Sequence, residues 1–224
     1  MKSPTDIKAC IFDLDGVIVD TAHFHFLGWK RLADELNIPF TEEENEKLKG
    51  VPRMESLAHI LGLGNIELPE SEKRDLAIRK NEWYKEYIKG MDPDDILPGV
   101  TSFIDELHAS NIQVAIASSS KNAGTVVDKI NYRDKIQALV DGNMVKKGKP
   151  DPELFLLAAS MLNVDPHFCV VFEDAYSGIE AALKAEMRNI GIGEPEYLNN
   201  ADFVIPGFSK FSLTGLKQLY LLPV

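Results

Sequence analysis

Residues 9–21 read "ACIFDLDGVIVDT". An uncharged, mostly apolar run, Ala9–Phe12, passes directly into two aspartates, Asp13 and Asp15, separated by Leu14. Apolar residues without alternation mark a strand buried on both faces, and the run from Lys8 to Phe12 is predicted to be one. Two carboxylates at a sheltered strand end repel one another and lose hydration, so a positive partner must offset the cost.

Similar short runs recur at "QVAIAS" (113–118), "CVVFED" (169–174), "RNIGIG" (188–193) and "ADFVIP" (201–206). Helical patterns lie between them, from Pro98, Asp151 and Tyr176. Strand and helix in alternation predict βαβ units and a Rossmann-like α/β core with a mostly parallel sheet. The stretch 21–96 breaks this rhythm. Its segments at 23–37 and 71–90 carry apolar stripes at helical spacing, with no convincing strand between them. The expected organisation is a core of residues 1–20 and 97–224, interrupted by an all-helical cap over 21–96. An insertion placed there hangs over the carboxyl end of the first strand, where open parallel sheets bind ligands.

Composition excludes several classes. The 224 residues are 45% hydrophobic and 26% charged, enough for a substantial core. A formal net charge of -11 argues against a nucleic-acid surface. Cys10 and Cys169 lie in apolar runs without metal or disulfide spacing. No signal-like or membrane-spanning run is visible, so a cytoplasmic protein without a membrane partner is expected.

Four polar clusters follow predicted strand ends: "DLDG" (13–16), "ASSSKN" (117–122), "KGKPDPE" (147–153) and "FEDAYSG" (172–178). Together they direct four carboxylates and several phosphate-type donors to one end of one sheet. Carboxylates without His or Cys suit a hard cation, and Mg²⁺ favours few protein carboxylates plus phosphate oxygens. Mg²⁺ and a lysine would let Asp13 and Asp15 coexist. One carboxylate could then attack phosphorus, while Ser118 and Lys149 position the transferring oxygens.

In that order, these four clusters resemble the motifs of the haloacid dehalogenase-like superfamily, and the second aspartate of the first points to phosphoryl transfer. Within the insertion, "HFHFLGWK" (23–30), "LKGVPRMESL" (48–57) and "RKNEWY" (79–84) resemble the cap of the β-phosphoglucomutase family. The resemblance implies interconversion of β-D-glucose 1-phosphate and glucose 6-phosphate through β-glucose 1,6-bisphosphate. Asp13 would be the nucleophile and Asp15 the general acid/base, its carbonyl also meeting Mg²⁺; Asp13, Glu173 and Asp174 would hold the metal. Ser118 and Lys149 would take the transferring phosphate; Arg53, Ser120 and Asn122 would take the other. His25 and Lys80 would favour the closed, sugar-bound state, and Thr21 falls at the first linker. Lys49, Gly50, Ser119 and Lys121 complete the expected substrate-binding set.

The chain departs from the family pattern at Pro52, Ser119 and Gly148, where serine, alanine and serine are usual. A sugar-phosphate phosphatase of the same superfamily shares Asp13, Asp15, Lys149 and Asp174, differs in the cap, and remains the alternative. A catalytically silent sugar-phosphate binder is a third reading. One complete site per chain makes a monomer adequate.

Overall fold

The computed structural model describes residues 6–221; residues 1–5 and 222–224, the outer ends of the expected core, lie outside the described residues. Among the described residues, β1 (Ala9–Phe12), β2 (Gln113–Ala117), β3 (Ala138–Val140), β4 (Cys169–Glu173), β5 (Arg188–Ile192) and β6 (Phe203–Ile205) form one sheet. Its order is β3-β2-β1-β4-β5-β6, with every neighbouring pair parallel. β1 lies inside the sheet and is fully buried, as its unbroken apolar run requires. β3 was not read in the sequence, where its three residues lie between Gln137 and Asp141.

Helices cover both faces. α5 (Val100–Ala109), α6 (Ala123–Lys129) and α9 (Leu213–Leu219) flank one apolar cluster; α7 (Glu153–Leu162) and α8 (Tyr176–Lys184) close the other. On the first face, Phe12 stacks on Phe172 at 4.7 Å between ring centroids, and Phe103 meets Phe12 edge-on at 6.2 Å. Such pairs add about 0.5–1.5 kcal/mol beyond their buried area. Both cysteines are buried and free.

Between β1 and α5 the chain builds α1 (Ala22–Glu35), α2 (Glu42–Glu46), α3 (Arg53–Leu63) and α4 (Glu70–Tyr87). These helices surround an apolar cluster of their own, including Trp29, Leu32, Leu57, Ile60 and Ala77. Trp83 packs against its edge. α3 was also not read as a helix from sequence, since it starts on a proline and carries a glycine near its end. Two crossings join this helical insert to the core, and they run side by side. Val19 bridges Ile96 in antiparallel fashion, and the Leu97 N–H donates to the Ile18 carbonyl at 2.9 Å.

Candidate active site

Strand register delivers the first carboxylates. Phe12 pairs with Phe172 across β1 and β4, so the following residues, Asp13 and Glu173, emerge at the same level of the sheet. Lys149 reaches between them from the loop before α7. Its ammonium donates to Asp13 Oδ1 and, at 2.8 Å, to Glu173 Oε2, and its side chain is fully buried. Burial works against its charge, but the two carboxylates outweigh that cost and hold Lys149 above the usual lysine range. Glu173 Oε1 also accepts from the Ala175 N–H at 3.2 Å.

Asp13, Glu173 and Asp174 each offer an oxygen within 4.8 Å of the others. Gly16 permits this convergence. It holds φ +83°, and a Cβ there would lie 2.2 Å from Asp174 Oδ2. Burial, followed by the proximity of Asp13, pushes the Asp174 carboxyl up to about 7. Lys149 offsets only part of this negative charge. An all-oxygen, electron-rich donor set of this kind fits a hard divalent cation, and Asp13, Glu173 and Asp174 are the residues that would hold it.

The Asp15 side chain points elsewhere. Oδ1 accepts from Thr21 Oγ1, and Oδ2 accepts from Ser118 Oγ at 3.2 Å. The Asp15 carboxylate therefore stands outside the three-carboxylate cluster. Burial and then Asp13 raise the Asp15 carboxyl to about 6, against the two hydroxyl donors. After β2, the chain turns through a relay of side chain and backbone. Ser120 N–H donates to Ser118 Oγ at 3.0 Å, and Asn122 N–H to Ser120 Oγ at 3.2 Å.

A cavity of about 470 Å³ separates these strand ends from the insert. Asp13, Asp15 and Asp174 line it from the core side; Ser119, Ser120 and Lys121 join them. His25, Lys49, Gly50, Arg53 and Lys80 line it from the insert. Thr21, Ser118, Asn122 and Lys149 stand directly behind this lining and bond to it, and Glu173 holds Lys149 from behind. The Ser119 hydroxyl is buried, with no hydrogen-bond partner among the described residues.

Two features of the insert side follow from burial. Lys80 Nζ lies 2.9 Å from His25 Nδ1, over the Trp29 ring, and burial followed by the Arg53 charge lowers its ammonium to about 7. Burial and then Lys80 push the His25 imidazolium well below its usual range, so the ring is neutral and accepts from Lys80. His25 also stacks on Tyr84 at 4.2 Å. Lys49 Nζ crosses the cavity edge to Asp174 Oδ2 at 3.7 Å while pairing with Glu46 at 2.9 Å.

Sequence reasoning missed two cations that line the cavity and one residue bonded to its lining. Arg74 and Lys146 line the cavity from opposite sides, and nothing in their local sequence separates them from ordinary surface cations. Asn81 follows Lys80 within "RKNEWY" and accepts from Arg53 Nη2 at 2.7 Å. Its neighbour Lys80 was the signal; the turn of α4 that brings Asn81 to Arg53 was not readable from spacing.

The fold, and the carboxylates gathered at the carboxyl edge of its parallel sheet, define a class that sequence comparison names. Residues 7–186 match the haloacid dehalogenase-like hydrolase family, and the chain belongs to it. It is 44% identical over 214 residues to the β-phosphoglucomutase of Bacillus subtilis, with 95% of each chain covered. A crystal structure of a β-phosphoglucomutase from Clostridium difficile superposes with a TM-score of 0.92 at 39% identity, covering 96% of this chain and 97% of that one. A phosphorylated-carbohydrates phosphatase from Thermotoga maritima is 33% identical over 187 residues, covering 82% of this chain and 84% of the relative.

Proposed function

We propose that this chain is a Mg²⁺-dependent phosphoglucomutase that interconverts β-D-glucose 1-phosphate and glucose 6-phosphate through a phosphorylated Asp13 and β-glucose 1,6-bisphosphate. The observation that carries the reading is an inversion of charge. On a chain of net charge -11, Lys49, Arg53, Arg74, Lys80, Lys121 and Lys146 face one cavity against three carboxylates. An anionic ligand larger than one phosphate fits that excess, and one end of it would meet Asp13. The names of the 44% and 39% identical relatives support the sugar and the reaction.

In the priming half-reaction, an Asp13 oxygen forms a bond to phosphorus of the bisphosphate as the sugar–oxygen bond to that phosphorus breaks. Asp15 gives the departing sugar oxygen its proton. In turnover the 6-hydroxyl of β-glucose 1-phosphate attacks the phosphoaspartate as the Asp13–phosphorus bond breaks, and Asp15 takes its proton. The bisphosphate so formed turns around, an Asp13 oxygen attacks the phosphorus at C1, and Asp15 returns the proton to the departing sugar oxygen, releasing glucose 6-phosphate. Burial of Asp15 and its bonds to Thr21 and Ser118 suit a group that must carry a proton in one step and lack it in the next. Lys149 and Ser118 would neutralise and orient the transferring oxygens. Arg53, Ser120 and Asn122 would hold the second phosphate, with Arg53 offering a planar fork. Mg²⁺, held by Asp13, Glu173, Asp174 and the Asp15 carbonyl, would offset the charge that accumulates between nucleophile and phosphoryl group.

Residues 21–96 would act as a cap that closes over sugar phosphate and excludes water, with residues 1–20 and 97–224 as the catalytic core. The adjacent crossings at Val19 and Ile96 suit such a hinge. A monomeric, cytoplasmic enzyme suffices for this chemistry; among the described residues no helix is long and apolar enough to cross a membrane.

A phosphatase that acts on sugar phosphates is the second reading, favoured by the Thermotoga maritima relative's name. One assay separates them: β-glucose 1-phosphate with Mg²⁺, with and without trace β-glucose 1,6-bisphosphate, following glucose 6-phosphate and free phosphate together. Bisphosphate-dependent glucose 6-phosphate with little free phosphate is the expected result. Free phosphate without isomerised sugar would replace the mutase with the phosphatase.

A further inference from the structure

Asn122 occupies the position before α6, where an asparagine ordinarily caps its own helix. Here its side chain makes no capping bond. It reaches instead into the helical insert, where Nδ2 donates to Asn81 Oδ1 at 2.8 Å. The same Asn81 oxygen accepts from Arg53 Nη2 at 2.7 Å. One carboxamide oxygen, on α4, thus uses both lone pairs to gather a donor from α3 of the insert and a donor from the core. Arg53 has five N–H donors and the Asn122 amide two, so each keeps donors for a ligand.

We propose that Asn81 is a positioning residue for the phosphate that is not transferred: it aligns Arg53 with Asn122, so that their remaining donors converge only when insert and core lie together. The inference rests on the proposed role of Arg53 and Asn122 as phosphate donors and deepens it. A neutral acceptor is the suitable choice. It orients the guanidinium without cancelling the charge that attracts phosphate, whereas a carboxylate at 81 would hold Arg53 and neutralise it. Asn81 thereby makes the affinity of the second phosphate depend on closure.

The test is a double-mutant cycle on the full chain with Mg²⁺, reading KM and kcat for β-glucose 1-phosphate in whichever reaction, isomerisation or hydrolysis, the enzyme performs. A hydrogen bond to a charged group corresponds to roughly tenfold in affinity, so N81A should raise KM about tenfold while kcat stays within about threefold. R53A should raise KM more, and R53A/N81A should fall well short of the product of the two single effects, because Asn81 acts through Arg53 as well as through Asn122. N81D, which preserves shape and acceptor, should raise KM at least as much as N81A. An unchanged KM in N81A or N81D, with R53A impaired, would overturn the inference alone. So would multiplicative effects in the double variant. An unchanged KM in R53A would remove the phosphate-site reading and this inference with it.

Discussion

The ring of Pro52 lies against Gly148 so closely that a Cβ on the glycine would sit 2.4 Å from Pro52 Cγ. Pro52 belongs to the insert and Gly148 to the loop carrying Lys149, so two of the three departures from the family pattern meet as a complementary pair across the cavity edge. A rigid proline ring does not move aside, and overpacking costs about 1–3 kcal/mol. G148A should therefore push the insert away from the core. Its kcat/KM for sugar phosphate should fall about tenfold or more with Tm nearly unchanged, since the insert can tilt without unfolding. P52A in the same chain should recover most of the loss. Wild-type turnover in G148A, or failure of P52A to rescue it, would show that this contact does not govern closure.

Lys149 is the buried cation between Asp13 and Glu173. Removing one partner of a buried ionic cluster leaves uncompensated charge, at about 3–5 kcal/mol. K149A should lose stability on that scale, lowering Tm by several degrees, together with its turnover. A thermal melt of K149A that overlays the wild type would refute the view that this ammonium holds the carboxylates together.

Asp174 works in the opposite direction. Its oxygen lies within 4.8 Å of those of Asp13 and Glu173, and like charges at that distance repel. D174N should melt at a higher temperature than the wild type in chelator. Its Mg²⁺ affinity, by titration calorimetry, should fall about tenfold or more as a charged carboxylate becomes a neutral amide. Equal Mg²⁺ affinity in the two proteins would exclude Asp174 as a ligand.

Lys80 supplies a pH signature. Its ammonium falls to about 7, from burial first and then Arg53, while Asp15 pulls the other way. The neutral His25 ring and the faces of Trp29 and Tyr84 complete its surroundings. In the unfolded chain Lys80 titrates near 10.5, so between about pH 7 and 10.5 the unfolded state binds more protons and this group's contribution to stability rises with pH. Below about 7 the folded protein bears the whole cost of burying the charge. The Tm of K80M relative to wild type should be highest near pH 6 and decline from pH 7 toward 10, by several degrees at 2–4 °C per kcal/mol. A pH-independent difference would show that Lys80 remains charged throughout.

Much of the architecture was legible because burial on both faces writes itself as unbroken apolar runs. β1, β2, β4 and β5 were readable for that reason. β6 was read from its apolar run although it is a half-buried edge strand, and the loss of strand rhythm over 21–96 marked the helical insert. β3, Ala138–Val140, was not read, although it is no shorter than β6. Helix starts also moved. The apolar pattern from Pro98 begins as α5 at Val100, after a left-handed Gly99, and the pattern from Asp151 begins as α7 at Glu153. Turn geometry, invisible to hydrophobic periodicity, decides those boundaries.

The sequence by itself determined which chemical groups lie at strand ends, since a motif that follows an apolar run is carried wherever the strand goes. Asp13, Asp15, Ser118, Glu173 and Asp174 were placed by that logic, whereas Lys149, well past the unread β3, was placed by its motif before a proline-started helix. Only the tertiary structure decided which of them touch. The β1–β4 register sets Asp13 beside Glu173, and the loop before α7 sends Lys149 between them. Contacts across the cavity, such as Pro52 on Gly148 and Asn122 on Asn81, join residues 96 and 41 positions apart. No local pattern records such pairs, because they depend on how the insert lies against the sheet edge, which the packing of the whole chain determines.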